Sequence, residues 1–222
     1  QFVFMIPDII YVLENTGFDP SWRYFLNVVN GTDLKFGRDI YFTYGPLGYL
    51  FYLMKLPGNT IEYWSGIVIW GIIFLFHLWM LLQLYRLYQK GKIHFWAITA
   101  SVCCYLAGYY APTRDNYLLY LMILAVVLWA KGAKNIVLIP NLLLLLMFFG
   151  KFSTFTSGFA FCILFCIFDV LFRKNWKSIW LFLPGIILMP VCYLVYCPSI
   201  KNLFEYVAGI LKISSGWMLT MQ

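Results

Sequence analysis

The stretch YWSGIVIWGIIFLFHLWMLLQLY, residues 63–85, decides the fold class of this chain because it contains no charged residue. A helix needs about 20 consecutive apolar residues to cross the hydrocarbon core of a bilayer, and this stretch is long enough. The 222-residue chain around it is 63% hydrophobic and 11% charged, whereas soluble domains are roughly 25% charged. This composition excludes a soluble enzyme and a disordered chain, and it predicts an integral membrane protein.

Five further apolar segments follow the first one. The segment 152–172 is long enough to cross a bilayer, and the segments 93–110 and 179–196 are nearly long enough. Residues 116–130 and 136–149 are short enough to be re-entrant or to lie in a thinned bilayer. The sequence therefore predicts an all-α, polytopic integral membrane helix bundle with about six membrane segments.

Basic residues alternate between the short links that join these segments. The first, third and fifth links carry eight Lys and Arg residues, and the second and fourth carry two. Cytoplasmic links are enriched in Lys and Arg, which places the basic-rich links in the cytoplasm. The net charge of +7 is thus typical of membrane topology rather than of nucleic-acid binding. The eight are Arg86, Lys90, Lys92, Lys131, Lys134, Arg173, Lys174 and Lys177, and the two are Arg114 and Lys151.

We predict that residues 1–222 form a single membrane domain. The chain begins at Gln1 without an initiator methionine, so we expect a fragment or a processed chain. In the tail, one helical face is apolar and predicts an amphipathic helix on the outer surface; it consists of Ile200, Leu203, Phe204, Val207 and Ile210. A turn at residues 214–217 is expected to end this helix. The predicted parts are the end of a truncated first helix (1–13), a long outer loop (14–60), the membrane segments (63–196), and an outer amphipathic helix with a tail (199–222).

The outer loop is far longer than the other links, as functional segments often are. In its segment GFDPSWRYFLN (17–27), Asp19 followed by Pro20 predicts a helix start with Asp19 as the N-cap, and Gly31 predicts the helix end. Apolar residues recur along this helix at steps of three and four, so it is expected to lie along the membrane surface. The segment FGRDIYFTYGPLG (36–48) is aromatic-rich and contains a Gly-Pro turn.

An outer-loop aspartate, a juxtamembrane helix and a following aromatic Gly-Pro turn resemble the C-type superfamily of membrane glycosyltransferases, which includes the polyprenyl-phosphate-mannose-dependent protein mannosyltransferases. With ISSGWMLTMQ (213–222), the two segments are more specifically similar to a family of uncharacterised bacterial membrane proteins. The resemblance covers the outer loop and the tail closely and the spans only in pattern. It implies a sugar donor carried on a polyprenyl phosphate and an outer-loop aspartate as catalytic base. It also implies a role in cell-envelope glycan or glycoconjugate assembly, at the outer face of the bacterial inner (cytoplasmic) membrane.

The catalytic role of the resembled enzymes maps onto Asp19, with Asp39 as a second candidate. Glycosyl transfer from a phosphate leaving group needs a carboxylate that takes the proton of the acceptor. Each aspartate also has a structural alternative. Asp19 could simply cap its helix, and Asp39 could pair with the adjacent Arg38.

Cations are also needed where negative charge builds on the phosphate. Arg114 and Lys151 are the lone basic residues of the outer links and are the predicted phosphate contacts, with Arg23 and Arg38 as alternatives. Trp22 and Tyr44 are predicted to stack on sugar rings. The structural alternatives are interfacial anchoring for the two cations and an aromatic belt for the two rings.

Several other residues indicate structure rather than chemistry. His77 lies within a span, where a hydrogen-bonded structural role is expected. Asp169 precedes Arg173 by one helical turn, which predicts an ion pair. The six cysteines lie in or beside apolar segments and are expected to pack as small apolar side chains.

The predicted partners are a lipid-linked sugar donor and membrane lipids, without nucleic acid, and protein partners stay open. No cluster in the sequence demands a metal, although a divalent cation is used by some of the resembled enzymes. Two alternatives to an enzyme also stay open: a transporter or flippase for a lipid-linked or small solute, and a non-catalytic membrane subunit. A transporter would be expected to have charged groups or broken helices at mid-membrane.

Overall fold

The computed structural model describes residues 18–96, 98–99, 101–102, 114–196 and 199–220, and the side chains of 18–21, 114–115 and 214–220 lie outside that description. Within these residues the chain is all-α, as predicted. Short 3-10 helices cover Val29–Gly31, Gly48–Tyr52, Lys134–Ile136 and Trp176–Leu181. The α-helices are α1 (Phe18–Val28), α2 (Thr60–Gln89), α3 (Arg114–Ala130), α4 (Leu138–Gly150), α5 (Phe152–Arg173), α6 (Leu183–Tyr196) and α7 (Ile200–Thr220).

Three of the described helical segments are long and apolar enough to cross a bilayer: Thr60–Gln89, Phe152–Arg173 and Trp176–Tyr196. Asn116–Ala130 and Lys134–Gly150 are shorter apolar helices. These five coincide with predicted membrane segments, and the large apolar side chains exposed along them suit contact with lipid. The fold is therefore that of a helical membrane protein. Most of the predicted segment 93–110, and the opening residues 1–13, lie outside the described residues.

The helices α2 and α3 end in the same way, at links rich in basic residues. Gly91 and Gly132 follow them with φ angles of +64° and +104°, a conformation that glycine adopts without steric cost. The amide after each glycine donates to a carbonyl five residues earlier, at 3.0 Å in both links. Lysines at such C-termini also interact favourably with the helix dipole.

The described chain divides into two compact units. One contains the described parts of Gln1–Ile72, Phe149–Phe152 and Met189–Gln222. The other contains the described parts of Ile73–Phe148 and Ser153–Leu188. The predicted outer loop, Lys151 and the tail helix therefore belong to a single unit, which we call the loop unit.

In the second unit, polar side chains within the apolar helices bind backbone groups or one another. Asn141 donates to the carbonyl of Trp180 (2.9 Å) and accepts from the amide of Gly185 (2.7 Å), so it links α4 to the segment that leads into α6. His77 is buried, and its Nδ1 lies 2.9 Å from Tyr117 Oη. The hydrogen bond predicted for His77 is present.

The other structural predictions for the second unit also hold where it is described. Asp169 is buried and lies 3.6 Å from Arg173 Nη1, so the predicted ion pair is present. Cys162 and Cys166 are buried free thiols, as expected for packing residues. Cys103, Cys104 and Cys197 lie outside the described residues.

The tail helix differs from the prediction in its end and in its packed face. The predicted turn at 214–217 is wrong, because α7 continues as a helix to Thr220. Two serines and one glycine cost a helix only about 1 kcal/mol or less each, and no proline stops it. Among the residues of α7 with described side chains, Tyr206 and Ile210 are the most buried, whereas Phe204, predicted on the apolar face with Ile210, is 70% exposed.

Candidate functional site

The outer loop is held by a buried asparagine on α1. Asn27 is 2% exposed, and its Nδ2 donates to the carbonyls of Arg23 (2.9 Å) and Tyr52 (2.7 Å). Its Oδ1 accepts the amide of Met54 at 3.0 Å. A buried amide with all these bonds satisfied ties the helix to the chain that leads into α2.

A second buried asparagine completes this anchorage. Asn59 is 4% exposed and donates to the carbonyls of Met54 (2.8 Å) and Asn27 (3.4 Å). Its Oδ1 accepts the amide of Leu56 at 2.9 Å, which closes the turn before α2. The loop is therefore an ordered part of the loop unit.

Three candidate site residues, Asp19, Trp22 and Arg23, lie on the helix α1. The described helix covers Phe18–Val28, so Asp19 lies within it rather than at the predicted N-cap. The side chain of Asp19 lies outside the described residues. In register, however, Trp22 and Arg23 follow Asp19 by three and four positions, so all three lie on one face of the helix.

Trp22 is the centre of an aromatic cluster, which consists of Trp22, Phe42, Tyr44 and Tyr52. The Trp22 ring stacks on Tyr44 with centroids 5.0 Å apart and meets Tyr52 edge-on at 4.7 Å. Phe42 lies 6.1 Å from Trp22 and 5.8 Å from Tyr44. Tyr44 is buried, whereas the other three rings keep part of their surface exposed.

Two cations flank this aromatic cluster. The guanidinium of Arg23 lies 4.8 Å from the Tyr52 ring centroid and 5.5 Å from that of Trp22. The ammonium of Lys151 lies 5.3 Å from the centroid of the Tyr44 ring. Both are within the range of cation–π attraction, so positive charge and aromatic surface share one site.

Backbone pairing brings Lys151 to the loop. The amides of Gly45 and Leu47 donate to the carbonyls of Gly150 (3.0 Å) and Phe149 (2.8 Å). On the other side of Lys151, the amide of Phe152 donates to the carbonyl of Thr43 at 3.0 Å. The link between α4 and α5 thus pairs with the segment that carries Tyr44.

Arg38 and Asp39 form a tight turn that is separate from these ring contacts. Arg38 Nη2 lies 2.7 Å from Asp39 Oδ2, and the amide of Lys35 donates to the same oxygen at 2.9 Å. The hydrogen bond from Arg38 lowers the pKa of the Asp39 carboxyl from its usual value. A carboxylate of lowered pKa is a weaker base, which makes Asp39 the poorer candidate for proton transfer.

The predicted site residues therefore divide into three groups. The structure brings Trp22, Tyr44 and Lys151 together, and it pairs Arg38 with Asp39. Arg114 begins α3 in the second unit, and its side chain lies outside the description. Across the described residues, no group of three or more His, Cys, Asp or Glu side chains is placed to hold a metal ion.

Sequence reasoning missed Phe42 and Tyr52 as members of the site, although Phe42 lies in one of the quoted segments. Arg23, named from the sequence as an alternative phosphate contact, is part of the site. Tyr52 lies beyond both segments, and only its fold-back through the Gly48–Tyr52 turn places it against Trp22. Aromatic identity alone was not a sufficient signal, since 21% of the chain is aromatic.

Comparisons of the chain with known protein families, with characterised proteins and with solved structures gave no match. The structure itself defines the class, an all-α membrane protein whose loop unit carries an aromatic site flanked by two cations.

Proposed function

We propose that this protein is a membrane glycosyltransferase that uses a sugar donor linked to a polyprenyl phosphate. It would act at the outer face of the bacterial inner membrane, in cell-envelope glycan or glycoconjugate assembly. The observation that carries the proposal is the aromatic cluster with Arg23 and Lys151 beside it. Trp22 and Arg23 of this site lie on the helix that also carries Asp19. Rings and cations together suit a ligand that is both sugar and phosphate.

Each part of the site has a distinct task in this reaction. The partly exposed face of Trp22 stacks on a sugar ring, while buried Tyr44 supports Trp22 from behind. Arg23 and Lys151 balance the charge that builds on the departing phosphate. Asp19 takes the proton of the acceptor hydroxyl as the new glycosidic bond forms.

The buried polar groups of the spans favour an enzyme over a transporter. His77, Asn141 and Asp169 each make close polar contacts within their own unit. A transporter needs such groups for its cargo at mid-membrane. Here these side chains contact other groups of the protein, which is typical of structural residues.

Replacing the proposed base tests this function directly. Membranes that contain Asp19→Asn would be supplied with tritiated hexoses on undecaprenyl phosphate, and transfer of label to water-soluble or protein-bound product would be measured. Because a general base contributes about 10²–10⁴-fold, transfer should fall by that factor while expression and thermal stability persist.

Asp33→Asn is the matched control, since Asp33 is an exposed aspartate of the same loop. It should transfer at the rate of the unaltered protein. Normal transfer by Asp19→Asn would remove Asp19 as the base. Failure of the unaltered protein to transfer any hexose of the panel would contradict the enzymatic proposal itself.

A further inference from the structure

The loop unit contains a cavity of about 350 Å³ that none of the proposed catalytic residues lines. Its volume lies at the lower end of the range of small-molecule sites. It is formed by the loop, by the first turns of α2 and by the last residues of α6. Its polar lining includes Asn30, Thr32, Lys35, Tyr49, Glu62 and Ser65.

The polar wall of the cavity is ordered by hydrogen bonds. Tyr49 Oη and Ser65 Oγ lie 3.2 Å apart, and Ser65 Oγ donates to the carbonyl of Glu62 at 2.9 Å. Asn30 Nδ2 donates to the carbonyl of Pro46 at 3.1 Å. Burial raises the pKa of Tyr49, so its hydroxyl stays neutral and donates to Ser65 Oγ.

The cavity carries one charge of each sign. Lys35 and Glu62 are both half-buried, and neither side chain forms an ion pair with any residue that the structure describes. The nearby carboxylate of Asp39 is bound by Arg38, and it interacts with the charge of Lys35 without forming an ion pair with it. Half-buried charges are costly without a partner, so a ligand that neutralises both would be favoured.

The open side of the cavity is apolar and lies at the ends of two helical segments that can cross a membrane. Ile61 (82% exposed) is the second residue of α2, and Val195 (81% exposed) is the next-to-last residue of α6. Val68 and Val191, farther along the same helices, are each 60% exposed. Because the ends of spans lie at headgroup depth, this rim adjoins both lipid headgroups and acyl chains.

We infer that this cavity binds the headgroup of a zwitterionic phospholipid with a primary amine, of the phosphatidylethanolamine class. The phosphate contacts Lys35, the ammonium contacts Glu62, and the acyl chains lie over Ile61 and Val195. An anionic phospholipid would leave Glu62 unpaired, and a neutral sugar would leave both charges unpaired. The inference is independent of the proposed glycosyl transfer.

Native mass spectrometry of the purified full chain in detergent tests this site. The probes are dioctanoyl phosphatidylethanolamine, phosphatidylcholine and phosphatidylglycerol. The unaltered protein should bind phosphatidylethanolamine most tightly, because phosphatidylcholine lacks N–H donors for Glu62 and phosphatidylglycerol lacks the cation. Glu62→Gln should weaken its binding about tenfold and abolish the preference, and Lys35→Gln should weaken all three lipids.

Lys55→Gln is the matched control, because Lys55 is an exposed lysine of the same loop that does not line the cavity. It should keep the binding pattern of the unaltered protein. Equal binding of the three lipids by the unaltered protein would overturn the inference, as would a preference that persists in Glu62→Gln.

A second measurement does not depend on the folding of those variants. A benzophenone amino acid at Ile61, which is 82% exposed, should crosslink to phosphatidylethanolamine in vesicles of equal phosphatidylethanolamine and phosphatidylglycerol. Crosslinking mainly to phosphatidylglycerol would overturn the assignment. Displacement of phosphatidylethanolamine by methyl hexosides would overturn it too, because that result would mark a sugar site.

Discussion

At the scale of single residues, the buried side chain of Asn27 holds the loop together through three hydrogen bonds to backbone groups. Replacing it with alanine leaves the carbonyl of Tyr52 and the amide of Met54 without their partner. Each unsatisfied buried group costs about 1–3 kcal/mol, so Asn27→Ala should lower the free energy of unfolding by at least that amount. Denaturant or thermal unfolding in detergent measures the loss.

The control for this variant is Asn116→Ala, at an exposed position of α3. An exposed substitution should change the free energy of unfolding by about 0.5 kcal/mol or less. Equal free energies of unfolding for Asn27→Ala and this control would show that the hydrogen bonds of Asn27 do not stabilise the protein.

Two glycines of the loop provide a matched test of the site's backbone pairing. A methyl group at Gly45 would overlap the backbone of Phe149, whereas one at Gly31 would meet no heavy atom within 4 Å. Gly45→Ala should therefore separate the Tyr44 segment from Lys151 and lower both stability and glycosyl transfer. Gly31→Ala should change neither measurably. Equal unfolding midpoints and transfer rates for the two variants would contradict the pairing.

The residues of the site also show what a sequence can predict. Lys151 stood out because a lone cation interrupts an apolar region, and that local signal led to a residue that lies over Tyr44. Its partner could not be inferred, since the backbone pairing joins segments about a hundred positions apart. Asn27 and Asn59 gave no signal at all, because a buried amide is recognisable only once its partners are in place.

At the scale of elements, the apolar helices were predictable and their packed faces were not. Membrane helices are apolar on all sides, so periodicity cannot distinguish a lipid-facing side from a protein-facing one. The helix α7 illustrates this difficulty. Its pattern suggested one apolar face, but the helix has two, of which one packs through Tyr206 and Ile210.

The second apolar face of α7 consists of Ile200, Phe204 and Leu211, which are 43%, 70% and 55% exposed. Because these residues recur at steps of four and seven, they form a stripe suited to the membrane interface. An environment-sensitive fluorophore on Phe204→Cys should therefore emit at shorter wavelength and be quenched by brominated lipids. The same fluorophore on Lys201→Cys, a position with an 81% exposed side chain, should be quenched by aqueous iodide instead. Equal quenching of both positions by iodide would contradict a lipid-facing stripe.

At the scale of the whole molecule, the proposed function depends on which side of the membrane each link faces. The helix α5 has 22 residues and spans about 33 Å at 1.5 Å per residue, close to the roughly 30 Å of a bilayer core. It starts directly after Lys151 and ends at Arg173, where the basic cluster begins. Its two ends should therefore face opposite compartments, with the basic end in the cytoplasm.

Labelling of single introduced cysteines in intact cells tests this arrangement. Cysteines at Asp33 and Lys151 should react with a membrane-impermeant maleimide from outside, because both belong to the loop unit. Cysteines at Lys90 and Lys174, exposed positions in basic-rich links, should react only after the membrane is permeabilised. The chain without an introduced cysteine gives the background from native thiols. If position 151, like position 174, reacted only after the membrane is permeabilised, α5 would not cross the membrane. Lys151 could then not contact a donor at the outer face.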